Sequence, residues 1–104
     1  MRTEHLHRVY FIGIGGIGMS AIARFFNERG IYVSGYDKTS TPLTEQLVKE
    51  GIVVHFDESI NALDKEANLV VYTPAIPAQH LQLHWYRENG FEVVKRSDVL
   101  QSIS

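Results

Sequence analysis

Two hydrophobic patterns alternate along the chain. Short continuous apolar runs, of which Val9-Tyr10-Phe11-Ile12 and Leu69-Val70-Val71-Tyr72 are the clearest, lack polar alternation, as expected of strands covered on both faces in a parallel sheet. Between such runs the spacing turns helical. Met19, Ile22, Ala23 and Phe26 fall at i, i+3, i+4 and i+7, one buried stripe of a first helix. For a second helix Thr41 is a cap, Pro42 suits the first position, and Leu43 and Leu47 are expected to face inward. Residues 80–89 predict a third helix, with Leu81 and Trp85 four apart. Ser97 or Asp98 can cap a fourth, whose Val99, Leu100 and Ile103 are apolar. Residues 57–67 are weakly periodic and read as a short helix or a loop.

Glycine marks the junctions. In Gly30-Ile31-Tyr32-Val33, Gly51-Ile52-Val53-Val54 and Gly90-Phe91-Glu92-Val93 a residue free to be left-handed closes a helix, and β-formers follow at once. Strands alternating with helices predict an α/β fold: a Rossmann-like, doubly wound, five-stranded parallel sheet with right-handed crossovers and strand order 3-2-1-4-5. Ligands of such sheets bind beyond the carboxyl ends of the strands, where the order reverses between strands 1 and 4.

Candidate chemistry sits at that point. Gly13, Gly15 and Gly18 satisfy G-x-G-x-x-G between a strand and an amphipathic helix, and Gly16 opens the turn further. Bare backbone lets a diphosphate approach the unpaired N–H groups and the positive end of the helix dipole. Strand 2 ends at Asp37, nineteen residues beyond Gly18, where a carboxylate can accept hydrogen bonds from a ribose hydroxyl. Loop and acid together point to a nucleotide carrying a diphosphate without saying which. The plainer alternatives are a glycine turn needed only for packing and an Asp37 that caps or is solvated.

Composition removes whole classes. A chain of 104 residues, 44% hydrophobic and 21% charged, fits one small globular domain. Zero cysteines exclude disulfides, thiolate zinc sites and a cysteine nucleophile, and fit a reducing compartment, so a cytoplasmic protein is expected. Ten Lys plus Arg against twelve Asp plus Glu leave a net charge of -2 and no basic excess for nucleic acid. Uncharged residues 10–23 end in Ala21-Ile22-Ala23 like a signal-cleavage site, but glycines interrupt them. No run approaches the roughly 20 apolar residues of a membrane span, so no membrane partner is expected.

Other polar residues add little. His5, His7, His55, His80 and His84 show no second ligand type at useful spacing, and the His80/His84 pair lacks a third ligand, so no metal site is expected. No nucleophile triad or carboxylate pair stands out, so no catalytic residue is assigned. Trp85, Tyr86 and Phe91 read as core rather than a stacking platform. Arg96, just past strand 5, is a surface arginine or a diphosphate contact.

The run Phe11-Ile12-Gly13-Ile14-Gly15-Gly16-Ile17-Gly18-Met19-Ser20-Ala21-Ile22-Ala23, followed by Val33-Ser34-Gly35-Tyr36-Asp37 and by Thr73-Pro74-Ala75-Ile76, resembles the amino-terminal domain of the bacterial Mur ligases. The likeness covers essentially the whole chain and is strongest to the branch that joins L-alanine to UDP-N-acetylmuramate. It implies a three-domain cytoplasmic enzyme of peptidoglycan synthesis, and hence of cell shape and division, that uses ATP and magnesium. Residues 1–104 would be a single domain holding the UDP end of UDP-N-acetylmuramate. The ATP-binding and carboxy-terminal domains would be its missing partners. No G-x-x-x-x-G-K-[ST] loop occurs here, so the chain alone is expected to need no cofactor and to catalyse nothing.

Carried over by the resemblance, Gly13, Gly15, Gly16, Ile17, Gly18 and Met19 would wrap the diphosphate and Asp37 would lie beside the uridine. Thr73, Ala75 and Ile76 would form the turn after strand 4, where Thr73-Pro74 replaces two serines and Pro74 brings no N–H. Many relatives carry Gly-His where this chain has Asp57-Glu58, so that contact is left unassigned. The alternatives are an NAD-binding module of a dehydrogenase or sensor and a related ligase of muropeptide recycling.

Overall fold

The computed structural model describes residues 4–103. Strands β1 (Arg8–Ile12), β2 (Tyr32–Tyr36), β3 (Val53–His55), β4 (Leu69–Tyr72) and β5 (Val93–Lys95) alternate with helices α1 (Ile17–Glu28), α2 (Pro42–Lys49), α3 (Leu81–Glu88) and α4 (Arg96–Ile103). The sheet is parallel throughout, in the expected order β3-β2-β1-β4-β5. Gly30, Gly51 and Gly90 take φ of +80°, +98° and +78°, the left-handed backbone that the repeated glycine junctions predict. Ile12 lies opposite both Tyr36 and Tyr72, so the chain leaves β1, β2 and β4 side by side at one edge. Residues 57–67 contain only a 3-10 turn, Ile60–Ala62. Among the described residues no helix is long and apolar enough to cross a membrane.

Because strand side chains alternate, β1 feeds two cores. Val9 and Phe11, with Val33, Leu69 and Val71, meet Met19, Ile22 and Phe26 of α1, Leu47 of α2 and Val99 of α4. Tyr10 and Ile12, with Tyr36 and Val70, meet Leu83 and Tyr86 of α3 and Leu63 from the 57–67 segment. Tyr86 packs 5.4 Å from Tyr10 and 5.0 Å from Phe91 between ring centroids, so these aromatics are core, as expected. The buried hydroxyls of Tyr10 and Tyr86 require partners. Tyr10 donates to Gln82 Oε1 at 2.6 Å, Gln82 Nε2 donates to the Ser59 carbonyl at 2.9 Å, and Tyr86 donates to the Asp64 carbonyl at 2.7 Å. Burial pushes both phenols well above their ordinary range.

Three helix details depart from expectation. In α2 the inward residues are Thr44 and Leu47, while Leu43 is only half-buried. Thr44 tolerates burial because its hydroxyl closes a capping box with Thr41: Thr44 N–H donates to Thr41 Oγ1 at 3.2 Å and Thr41 N–H to Thr44 Oγ1 at 2.8 Å. In α3 the inward face is Gln82, Leu83 and Tyr86, and Leu81 is 53% exposed. Helix α4 starts directly at Arg96, and Asp98, inside its first turn, accepts from the Lys95 N–H at 3.1 Å. Neither Ser97 nor Asp98 precedes that helix, and Leu100 is exposed.

Candidate functional site

Gly13 turns the chain over the end of β2. Its φ is +92°, and its N–H and that of Ile14 both donate to the Tyr36 carbonyl, at 2.8 and 3.0 Å. A Cβ there would stand 2.5 Å from Thr73 Cγ2, so glycine is required twice over. Its amide is already used, and Gly13 serves the turn.

The free amides come later, at the start of α1, since the Gly15 N–H donates to Asp37 and the Gly16 N–H to the Gly13 carbonyl. Gly16 precedes α1 with φ of -67° and provides no side-chain cap. The N–H groups of Ile17, Gly18 and Met19, in the first turn of a helix, have no intrahelical acceptor, and none is met elsewhere among the described residues. The Met19 side chain is buried in the core, whereas Ile17 is 86% exposed. At Gly18 a Cβ would lie 2.8 Å from Arg96 Nη1 and 3.2 Å from its Cδ. The β5–α4 junction thus lays a guanidinium against the positive end of α1. Arg96 makes no ion pair or side-chain hydrogen bond among the described residues. A cation beside three unpartnered amides is an arrangement for an anion with several oxygens.

Asp37 folds back onto the loop. Its Oδ2 accepts from the Gly15 N–H at 2.7 Å and its Oδ1 from the Thr39 N–H at 3.2 Å. A Cβ on Gly15 would stand 2.7 Å from Asp37 Oδ2 and 2.9 Å from Thr44 Cγ2. The glycine is therefore demanded by the carboxylate and by α2. An ionised carboxylate has about four acceptor directions, which leaves room for a further donor such as a hydroxyl.

Gly13, Gly15, Gly16, Asp37, Thr73, Ala75 and Ile76 line one cavity of about 420 Å³, joined by Lys38. Ile17, Gly18 and Met19 lie on the adjoining turn and do not line it. Thr73 Oγ1 stands 3.5 Å from the Ala75 N–H, and the Ile76 N–H donates to the Thr73 carbonyl at 3.0 Å, so Pro74 sits in a closed turn. Lys38, Ala75 and Ile76 also line a second cavity, of about 530 Å³, with Tyr36, Glu58 and His80. His80 is 7% exposed, its ring 4.9 Å from that of Tyr36. Its Nε2 lies 3.0 Å from Glu58 Oε2, off the line of a hydrogen bond, and its Nδ1 has no partner. Burial lowers the pKa of this imidazole, outweighing the attraction of Glu58.

Sequence reasoning located Arg96 but not its seat on Gly18, because that contact joins chain segments far apart. Lys38, Glu58 and His80 were not among the candidate site residues. Lys38 and Glu58 follow closely after β2 and β3, and the Asp57-Glu58 position was marked by the resemblance but left unassigned; for His80, eight residues past β4, no sequence signal pointed to the site. His84 pairs with Glu88 on an exposed face rather than with His80, and among the described residues no three His, Cys, Asp or Glu gather as a metal site.

The model of the Mur ligase family, catalytic domain, matches residues 8–104. The chain is 55% identical over 104 residues to the UDP-N-acetylmuramate–L-alanine ligase of Porphyromonas gingivalis, covering 95% of this chain and 23% of that protein. It is 52% identical over 105 residues to the enzyme of the same name from Cytophaga hutchinsonii, covering 96% of this chain and 22% of that protein. It therefore spans less than a quarter of the length of these relatives. Among solved structures, the UDP-N-acetylmuramate-alanine ligase MurC of Thermotoga maritima superposes with a TM-score of 0.87 at 30% identity, over 94% of this chain and 22% of that one. The murein peptide ligase of Psychrobacter arcticus shares the fold, with a TM-score of 0.84 at 21% identity over 93% of this chain and 20% of that one.

Proposed function

We propose that this chain, which belongs to the Mur ligase family, is the UDP-substrate domain of a ligase that joins L-alanine to UDP-N-acetylmuramate in peptidoglycan synthesis. The observation that carries the reading is the unpaired Arg96 guanidinium lying on Gly18 at the uncapped start of α1. Together they neutralise a diphosphate, with the amides of Ile17, Gly18 and Met19 as donors. Asp37 takes the ribose side, and the turn at Thr73, Ala75 and Ile76 closes the cavity over the nucleoside. The sugar and its carboxylate extend outward to the rest of a cytoplasmic three-domain enzyme. ATP and magnesium act there, because the residues here do not fit them: the sequence has no Gly-Lys pair, and the described residues gather no carboxylate or histidine cluster. This domain alone turns over no ATP.

The relatives at 55% and 52% identity all carry the L-alanine name, which favours that ligase over the muropeptide-recycling one, and a UDP ligand over NAD. Amide NMR tests the reading. UDP-N-acetylmuramate, and more weakly UDP, should shift residues 15–19, Asp37 and Ala75, while NAD shifts few or none. Saturation by NAD with those amides untouched by UDP-N-acetylmuramate would overturn it.

A further inference from the structure

We propose that the free lateral edge of β3 and the outer face of α2 form an isologous interface with a second copy of this chain. β3 is bonded to β2 on one side and, among the described residues, to no strand on the other. Its sequence, Val53-Val54-His55, has neither the lysine nor the proline that keeps an open edge from pairing, whereas β5, on the opposite side of the sheet, ends in Lys95. Apolar groups flank this edge on both faces. Val53, in register with Ser34, is 45% exposed on one face, and on the other Val48 of α2 and Phe56 are 52% and 42% exposed. Val48 and Phe56 line a hollow of about 220 Å³ together with Glu45 and Lys49. This hollow shares no lining residue with either cavity of the nucleotide site.

The charges point to a second copy as the occupant. Glu45 and Lys49 are exposed, one turn apart, and in no ion pair with each other or with another described residue. A two-fold axis at the β3 edge runs the two strands antiparallel. Because α2 packs over β3, the same axis lays α2 beside the partner's α2, also antiparallel. Residues 45 and 49 are equally far from Leu47 along the helix, so an axis at that level sets each Glu45 against the partner's Lys49, twice by symmetry. Val48, next to that level, is covered at the centre of the contact. An apolar centre within a charged rim is the anatomy of a specific interface. A three-residue strand and one helix face make a small contact, so the association belongs to the weak, transient class.

Sedimentation of this chain from about 10 µM to about 1 mM, the range in which small contacts dissociate, tests the interface. A monomer–dimer equilibrium is expected, weakened by salt. Val48→Asp should abolish it and leave the melting curve of the dilute monomer unchanged, since Val48 is half-exposed. Glu45→Lys and Lys49→Glu should each weaken the dimer about tenfold, because two attractions become two repulsions. Mixed in equal amounts, these two variants should associate again, as the lysine pair of one then faces the glutamate pair of the other. Only an antiparallel two-fold contact gives that restoration. A monomer at every concentration would overturn the proposal and leave this face to solvent or to the rest of a longer ligase. A dimer indifferent to all three variants would place association elsewhere and overturn it, as would charge variants that weaken the dimer singly but fail to restore it when mixed.

Discussion

At the amino edge of the sheet Arg8 donates from Nε to Asp64 Oδ2 at 2.9 Å and its guanidinium lies 4.1 Å from the Tyr32 ring centre. The N–H groups of His7 and Arg8 both donate to Asn68 Oδ1, at 2.6 and 2.8 Å. The Asp64 carbonyl accepts from Tyr86 at 2.7 Å, so one residue is pinned from two sides. At the carboxyl edge, Arg96 has no acid, α1 has no cap, and His80 Nδ1 has no partner. The groups at the amino edge complete one another except for the buried Ser34 hydroxyl, which lines a cavity with Arg8 and Asp64, whereas the guanidinium and the helix amides of the carboxyl edge are left open. Local polar groups that complete one another hold the fold. Groups left incomplete at a shared cavity are available to a ligand. The comparison predicts that substitutions at the amino edge act on stability and those at the carboxyl edge on binding.

The largest effect should come from Tyr86→Ala, which empties the core it shares with Tyr10, Ile12 and Leu83 and leaves the Asp64 carbonyl without its donor. A loss of about 3–5 kcal/mol is expected from an aromatic-to-alanine change, read by urea denaturation. Molecules that remain folded should keep their pyrophosphate affinity. A loss of binding without a loss of stability would erase the distinction between the edges.

Arg96→Ala should do the reverse. Removing a charge-assisted contact to phosphate weakens UDP and pyrophosphate about 10- to 100-fold, the range for a hydrogen bond to a charged group. Stability should change by no more than about 0.5 kcal/mol, as at surface positions with no native partner. Gly18→Val should weaken binding similarly, because its side chain displaces the guanidinium while the backbone there needs no positive φ.

Asp37→Ala sharpens the contrast within the carboxyl edge. In the free chain Asp37 occupies the Gly15 N–H with a negative charge. Its removal frees that amide and lifts repulsion of an incoming anion. Pyrophosphate should bind about two- to fivefold tighter, the scale of one exposed charge interaction, while UDP, which loses its ribose acceptor, gains nothing. Parallel tightening of both ligands would show that Asp37 does not meet the ribose.

The sheet, its order and the position of the glycine loop were legible because strand runs, glycine junctions and crossover handedness are local or general rules. The inward face of α3 was not. Periodicity weights Leu81 and Trp85, whereas the fold buries Gln82, whose amide meets carbonyls of residues 57 and 59, partners that spacing cannot reveal. Thr44 displaced Leu43 for a like reason, since its hydroxyl was satisfied within its own cap. In the candidate site, Asp37 could be placed at the end of β2 from sequence alone. Its engagement with Gly15 depends on how two turns meet in space, as does the seat of Arg96.

The smallest expected effect is on pH, and it tests whether His80 is held neutral. Burial lowers the pKa of both His55 and His80, against smaller opposing effects from Asp57 and Glu58 respectively. Their folded values lie below the ordinary histidine value of about 6.5, so between the two values the unfolded chain binds more protons than the folded one. The stability they contribute is full above about pH 6.5 and is lost as the pH falls through the depressed folded values. Glu50, lowered by its hydrogen bond from Arg24, loses its contribution only below the ordinary carboxylate range, which separates the two windows. Melting temperature should therefore decline between about pH 7 and 5, and His80→Gln, neutral at every pH, should flatten part of that decline. Bound UDP should extend the decline to lower pH, because a base seated over the ring excludes water and penalises the charged imidazole further. If the base occupies the cavity, saturating UDP will leave the pH dependence of His80→Gln unchanged while altering that of the wild type. If both proteins respond alike, His80 does not face the ligand, and its missing partner at the carboxyl edge is then a cost of folding rather than part of the site.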